Sequence, residues 1–163
     1  MKLLWPFVAA GALIWMIQIA SPSLAAEPKV KVILKYYKVQ GKTRNELIEQ
    51  MQAKGPKGFW AYTSWRIHRS GTCDLDLTIT YTLPQLADRA RVPLRLRANW
   101  DRMIDRLSFH ELGHGDHGRE AVRELIETKC QDFQSVVGKW AHQDKVYDKR
   151  TEHGLTQGVV LDY

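Results

Sequence analysis

The sequence predicts a single α+β domain in which an antiparallel or mixed sheet of about three or four strands packs against one long helix. Three observations carry this. Three segments rich in Val, Ile, Thr and Tyr alternate apolar with polar residues. From Leu94 onward the apolar residues instead recur at helical spacing. No internal repeat, low-complexity tract or linker divides the chain of 163 residues, a length sufficient for one domain with its own core.

Taking the elements in order, the first 26 residues, MKLLWPFVAAGALIWMIQIASPSLAA, combine a basic start (Lys2), an apolar run to Ile19 and a small-residue end at Ser23-Leu24-Ala25. This pattern predicts a signal peptide over residues 1–25, cut after Ala25 or Ala26, and a mature domain over 27–163. As a helix, Leu3 to Ile19 spans roughly 25 Å, short of the ~30 Å hydrocarbon core, so stable membrane insertion after cleavage is not expected. The protein is therefore read as exported, periplasmic or secreted.

KVKVILKYYKVQG (29–41) reads as a strand. In KTRNELIEQMQAKGPKG (42–58), Thr43 and Glu46 form a capping box, Leu47, Ile48 and Met51 a helical stripe, and Gly55-Pro56 a stop. WAYTSWRIHR (60–69) and TCDLDLTITYTLP (72–84) read as strands paired antiparallel through the turn between them. In the second of these, Leu75, Leu77, Ile79 and Tyr81 mark one buried face. On the following helix, Leu96, Trp100, Met103 and Leu107 share an arc with His110. His114, His117, Ala121 and Leu125 continue that arc if the helix persists past Gly113, Gly115 and Gly118, where a break is the local expectation. After Phe133 the pattern fades, and 145–163 reads as turns and loop ending in an apolar tail.

The net charge is +6, and removal of residues 1–26 takes away Lys2 and no acid. Basic residues are mostly interleaved with acids. Even the densest cluster, DRARVPLRLR (88–97), reads as a solvated face, and no nucleic-acid module is present. Cys73 and Cys130 are the only cysteines. In an exported chain they are expected to pair, and closing a loop of this length stabilises by about 4 kcal/mol in the chain-entropy model.

His110-Glu111-Leu112-Gly113-His114 fits H-E-x-x-H. Residues four apart on a helix share a face, so two imidazoles can converge on one zinc ion, and the intervening Glu can act as general base towards a water whose pKa the metal lowers. Helical phase separates this from a solvated histidine patch, because both His residues fall on the core side.

A catalytic zinc usually takes three protein ligands plus water. His117 shares the face but lies about 10.5 Å along a straight helix from His110, so it reaches the same ion only if the backbone turns near Gly115. Glu120, Glu124 and Glu127 lie farther still. His68 sits in a strand, and His142 reads as an exposed loop residue. His153 lies in a polar loop before a glycine and can return over the site from outside the helix. Asp116 and Asp148 are candidates to orient a ligand imidazole, and Tyr147 to donate to an oxyanion.

The chain resembles a bacterial family of predicted secreted zinc-dependent proteases, built on a domain originally named as of unknown function. YYKVQGKTRNEL (36–47), Gly55-Pro56, AYTSW (61–65), Cys73, Leu83-Pro84, NWDRM (99–103), HELGHGDHG (110–118) and YDKRTEHGLTQG (147–158) carry the resemblance. It implies a zincin-like peptidase domain. Its C-terminal T-x-H-G element favours His153 as third zinc ligand, with His117 the alternative.

The function expected is zinc-dependent hydrolysis of peptide bonds in a peptide or protein substrate. His110, His114 and His153 hold the metal and Glu111 is the general base. The rival reading is a secreted or periplasmic binding module whose zinc is structural and whose site is closed by four ligands, with no hydrolytic activity.

Overall fold

The helix that dominates the domain is long because its apolar arc never loses phase. In the computed structural model, which describes residues 27–162, it runs unbroken as α2 from Leu94–Glu127 over 34 residues. The expected break at Gly113, Gly115 or Gly118 does not occur. A glycine in a helix costs up to ~1 kcal/mol against alanine, but here each one is a point of close approach. A Cβ at Gly113 would lie 2.5 Å from the Tyr147 hydroxyl, one at Gly115 1.9 Å from the Tyr81 hydroxyl, and one at Gly118 2.8 Å from Cγ of Trp65. The glycines let neighbouring aromatic rings reach the helix surface.

Three strands form one mixed sheet in the order β1-β3-β2: β1 (Lys29–Val39), β2 (Tyr62–Ser70) and β3 (Asp74–Leu86). β2 and β3 form the expected antiparallel hairpin, with Trp65 opposite Ile79. β1 lies parallel to β3, with Val32 opposite Ile79. The parallel pairing needs a crossover, which begins with α1 (Arg44–Lys54). Thr43 and Glu46 make the capping box at its start.

Two apolar clusters flank the middle of α2. One gathers Val39, Leu47, Met51, Leu86, Leu96, Trp100, Met103, Leu107 and Leu161. The other gathers Leu75, Leu77, Ile79, Tyr81, Val122, Leu125 and Val136. His110 to His114 fall between them, on a stretch held from both sides. β1 departs from this burial. Val30, Val32, Leu34 and Tyr36 lie on the same side of the sheet as the buried face of β3, yet are 46–58% exposed.

The largest correction concerns the C-terminal region. The stretch after Phe133, where the pattern fades, and the first seven residues of the expected loop 145–163 form one 19-residue helix, α3 (Phe133–Thr151), packed against α2. Only Val136, Tyr147 and Thr151 are buried on it, so its apolar stripe is too thin to register as a period. His142 is exposed, as expected, but lies on this helix. Cys73 and Cys130 form a disulfide with Cα atoms 5.6 Å apart, tying the start of β3 to the turn between α2 and α3. No helix among the described residues is long and apolar enough to cross a membrane. The signal peptide expected over 1–25 lies outside them.

Candidate metal centre

His110, Glu111 and His114 are the buried polar residues of α2, at 3%, 5% and 8% exposure. Burying three ionisable groups side by side costs several kcal/mol unless each finds a partner, and each does.

For both histidines the two ring nitrogens divide their roles in the same way. His110 donates from Nδ1 to Oε1 of Gln157 at 2.8 Å and points Nε2 at Oδ1 of Asp148 at 3.3 Å. His114 donates from Nδ1 to Oδ1 of Asp144 at 3.0 Å and points Nε2 at the same Asp148 oxygen at 3.0 Å. The rings thus turn Nε2 inward and tie Nδ1 outward, as ligand imidazoles do when a hydrogen bond fixes their tautomer.

The three inward atoms lie within 4.8 Å of one another. Tetrahedral ligands with ~2.1 Å bonds stand about 3.4 Å apart, so separations of 3.0 and 3.3 Å fit one ion with little movement. A second group, His114, His117 and Asp144, meets the same proximity test. Its His117–Asp144 separation of 2.6 Å is that of a short hydrogen bond, and Oδ2 of Asp144 already accepts from Trp65 Nε1 at 2.8 Å. We therefore read Asp144 as the residue that orients His114 and His117.

Glu111 faces β2. Thr63 donates its hydroxyl to Oε2 of Glu111 at 2.6 Å, and the same hydroxyl lies 3.1 Å from the Glu111 carbonyl. Burial raises the Glu111 pKa, outweighing the Thr63 hydrogen bond that lowers it. Burial likewise lowers that of His110. Burial also works to lower that of His114, but the Asp144 hydrogen bond and the Asp148 charge prevail and raise it. Asp144 is lowered although burial opposes this, because His114, His117 and Trp65 all donate to it.

The residues singled out in the sequence are placed as follows. Tyr147 is buried on α3, its ring stacked on His110 at 5.0 Å and 11°, and its hydroxyl accepts from Gln157 Nε2 at 2.9 Å. His117 sits one turn beyond His114 in the Asp144 group and outside the Asp148 group. His153 stands at the rim of the centre, 58% exposed, with Nδ1 3.5 Å from the shared Asp148 oxygen and its ring 5.3 Å from Phe59. The clustering atoms beside His110 and His114 are those of Asp148. Asp116 is 67% exposed and faces Arg119 at 3.5 Å, so the orienting position beside His114 is filled by Asp144.

The T-x-H-G element builds the centre through residues other than its histidine. Thr151 donates to the Tyr147 carbonyl and accepts from the Gly154 N–H. Gly154 has φ +87° and passes so close that a Cβ there would lie 3.2 Å from Cγ of His110. This turn delivers Gln157 to His110. Thr63 and Gln157 lie in AYTSW and YDKRTEHGLTQG, stretches that carry the family resemblance, but no local pattern gives them a role, and Asp144 lies in neither. Only the tertiary fold brings Asp144 and Gln157 to the histidines and Thr63 to Glu111.

A cleft of about 550 Å³ opens onto His110, Glu111, His114 and Asp148, bordered by Tyr62 and Thr63 of β2 and by Phe59 and Leu155. Residues 34–154 match the model of a bacterial protein family of unknown function, DUF922. The chain belongs to that family. No curated protein and no solved structure matches this DUF922 chain. The His/Asp group beside Glu111 is thus the chemical feature from which its function must be argued.

Proposed function

We propose that this protein is an exported, zincin-like metallopeptidase, and that His110, His114 and Asp148 hold its zinc ion, with Glu111 as general base. The observation that carries the reading is the convergence of two Nε2 atoms on one Asp148 oxygen, beside a buried carboxylate whose pKa is raised. A zinc ion bound there supplies Lewis acidity and a water that ionises near neutral pH.

The protein's own residues supply the rest. Glu111 takes a proton at Oε1 or Oε2 and passes it to the leaving amine, a role that a raised pKa favours. Thr63 fixes the carboxylate from the β2 side. Asp144 and Gln157 keep the Nδ1 protons of the two ligand imidazoles in place. Tyr147, held by Gln157, stands within the same layer of groups. β2 is an edge strand, so its free backbone groups beside Tyr62 and Thr63 can receive an extended peptide.

Within this reading Asp148 takes the ligand position expected of His153. The test is hydrolysis of mixed peptide pools by the zinc-loaded mature chain. Loss of cleavage in Glu111→Gln with zinc retained supports the reading. Full activity in that variant refutes the mechanism, and zinc binding with no hydrolysis of any pool favours a structural site.

A further inference from the structure

One face of α3 presents Ala141, Asp144, Lys145 and Asp148 to the cleft, and Glu152, the left-handed residue that caps the helix, lines it beyond them. Two of the four charges are committed. Asp144 serves His114, His117 and Trp65, and Asp148 serves the metal-facing nitrogens. Lys145 and the Glu152 side chain have no hydrogen-bond, ion-pair or ring partner among the described residues. They do not pair with each other: Lys145 lies on α3 and Glu152 caps it seven residues on, about 10 Å away at the rise of a helix. Asp148 lies between them, three residues after Lys145 and four before Glu152. The centre is thus flanked by one free cation and one free anion, each about one helical turn away. Among the described residues, Lys145 is the only Lys or Arg lining the cleft.

Resting on the peptidase reading above, we infer that Lys145 and Glu152 set specificity: the cleft takes a peptide with a carboxylate on the Lys145 side of the scissile bond and a basic group on the Glu152 side. A span of about 10 Å corresponds to roughly three residues of extended peptide, so both charges fall close to the bond cleaved. The carboxylate is either an Asp or Glu side chain or the substrate's own C-terminus. Neither residue touches the metal-facing atoms, so exchanging the two charges leaves the centre intact.

The test uses three internally quenched peptide pools: acidic before basic across three positions, basic before acidic, and Gln at both. Each is made with a free and with an amidated C-terminus. The zinc-loaded chain is expected to cleave one charged orientation about five-fold or more faster than the Gln pool, the range of partly solvated ion pairs acting together. The double variant Lys145→Glu/Glu152→Lys is expected to prefer the opposite orientation at similar rates on the Gln pool. Loss of preference on amidation alone assigns the carboxylate to the C-terminus. Equal rates on all pools, or a preference that the double variant keeps, overturns the inference.

If the wild-type chain cleaves nothing, the peptidase reading fails on its own. The same peptides are then titrated by fluorescence anisotropy against the zinc-loaded Glu111→Gln chain and its double-reversed form. An inverted binding preference upholds the charge pairing, and equal affinities reject it.

Discussion

His114 Nε2 and Asp148 Oδ1 lie 3.0 Å apart, and Asp148 stands on a helix that the sequence pattern does not announce. This pair divides the two candidates for the third ligand. Asp148→Ala is expected to lower zinc affinity by at least 100-fold, as loss of a direct ligand does. His153→Ala is expected to change it by less than about 10-fold, the lower end for an outlying partner. Competition against a fluorescent zinc chelator measures both. The reverse order would return the ligand position to His153.

Glu111 trades stability for chemistry. Its pKa is raised by burial, so its contribution to stability is fully present below its unfolded pKa and is lost as pH rises through the higher folded value. Glu111→Gln removes that penalty and still accepts from Thr63. We expect the metal-free variant to melt above the wild type at pH 7, by roughly 3–5 °C for about 1 kcal/mol, and the gain to vanish near pH 4. Thermal melts at the two pH values, with metal chelated, check the sign.

His114 and Asp144 titrate in the opposite sense to each other. The raised pKa of His114 gives stability that is lost as pH rises through its folded value, and the lowered pKa of Asp144 gives stability that is lost as pH falls through its own. The metal-free protein is therefore most stabilised by this pair between the two pKa values. Zinc must displace the proton from His114 Nε2. Calorimetric titration at pH 6 in buffers of different ionisation enthalpy should report proton release on zinc binding that is smaller in Asp144→Asn, whose His114 loses the carboxylate that raises its pKa.

The helix glycines are close-packing positions. Gly115→Ala is expected to destabilise by about 1–3 kcal/mol through its clash with Tyr81. Tyr81→Phe, which removes the clashing oxygen, should recover at least half of that loss. Denaturant melts of the two single variants and the double variant measure the coupling.

The part of this site that lies in one local period was legible in the sequence. His110 and His114 share the arc of Trp100, Met103 and Leu107, and the structure buries that arc throughout. The three glycines misled, because their local cost argues for a break, while the contacts that repay it come from Tyr147, Tyr81 and Trp65 on other elements. Helix α3 escaped detection because only Val136, Tyr147 and Thr151 of its 19 residues are buried. Asp144 and Gln157 meet the histidines, and Thr63 meets Glu111, only through tertiary structure, at sequence separations of 30, 47 and 48. No spacing rule within one element could have found them.

The disulfide closes a separation of 57 residues between β3 and the α2–α3 turn. Its removal by Cys73→Ser/Cys130→Ser is expected to cost about 4 kcal/mol. Zinc should still bind to the folded fraction, since neither cysteine belongs to the centre. Equilibrium unfolding with and without reductant measures the first, and zinc content at low temperature the second.

The coordination of zinc in the loaded, mature chain distinguishes a catalytic centre from a structural one. X-ray absorption at the zinc edge should give one ion with two imidazole nitrogens and one carboxylate oxygen from the protein, plus one oxygen that exchanges with added small anions. Four protein ligands with no exchangeable position would contradict it, and would make the centre a structural site.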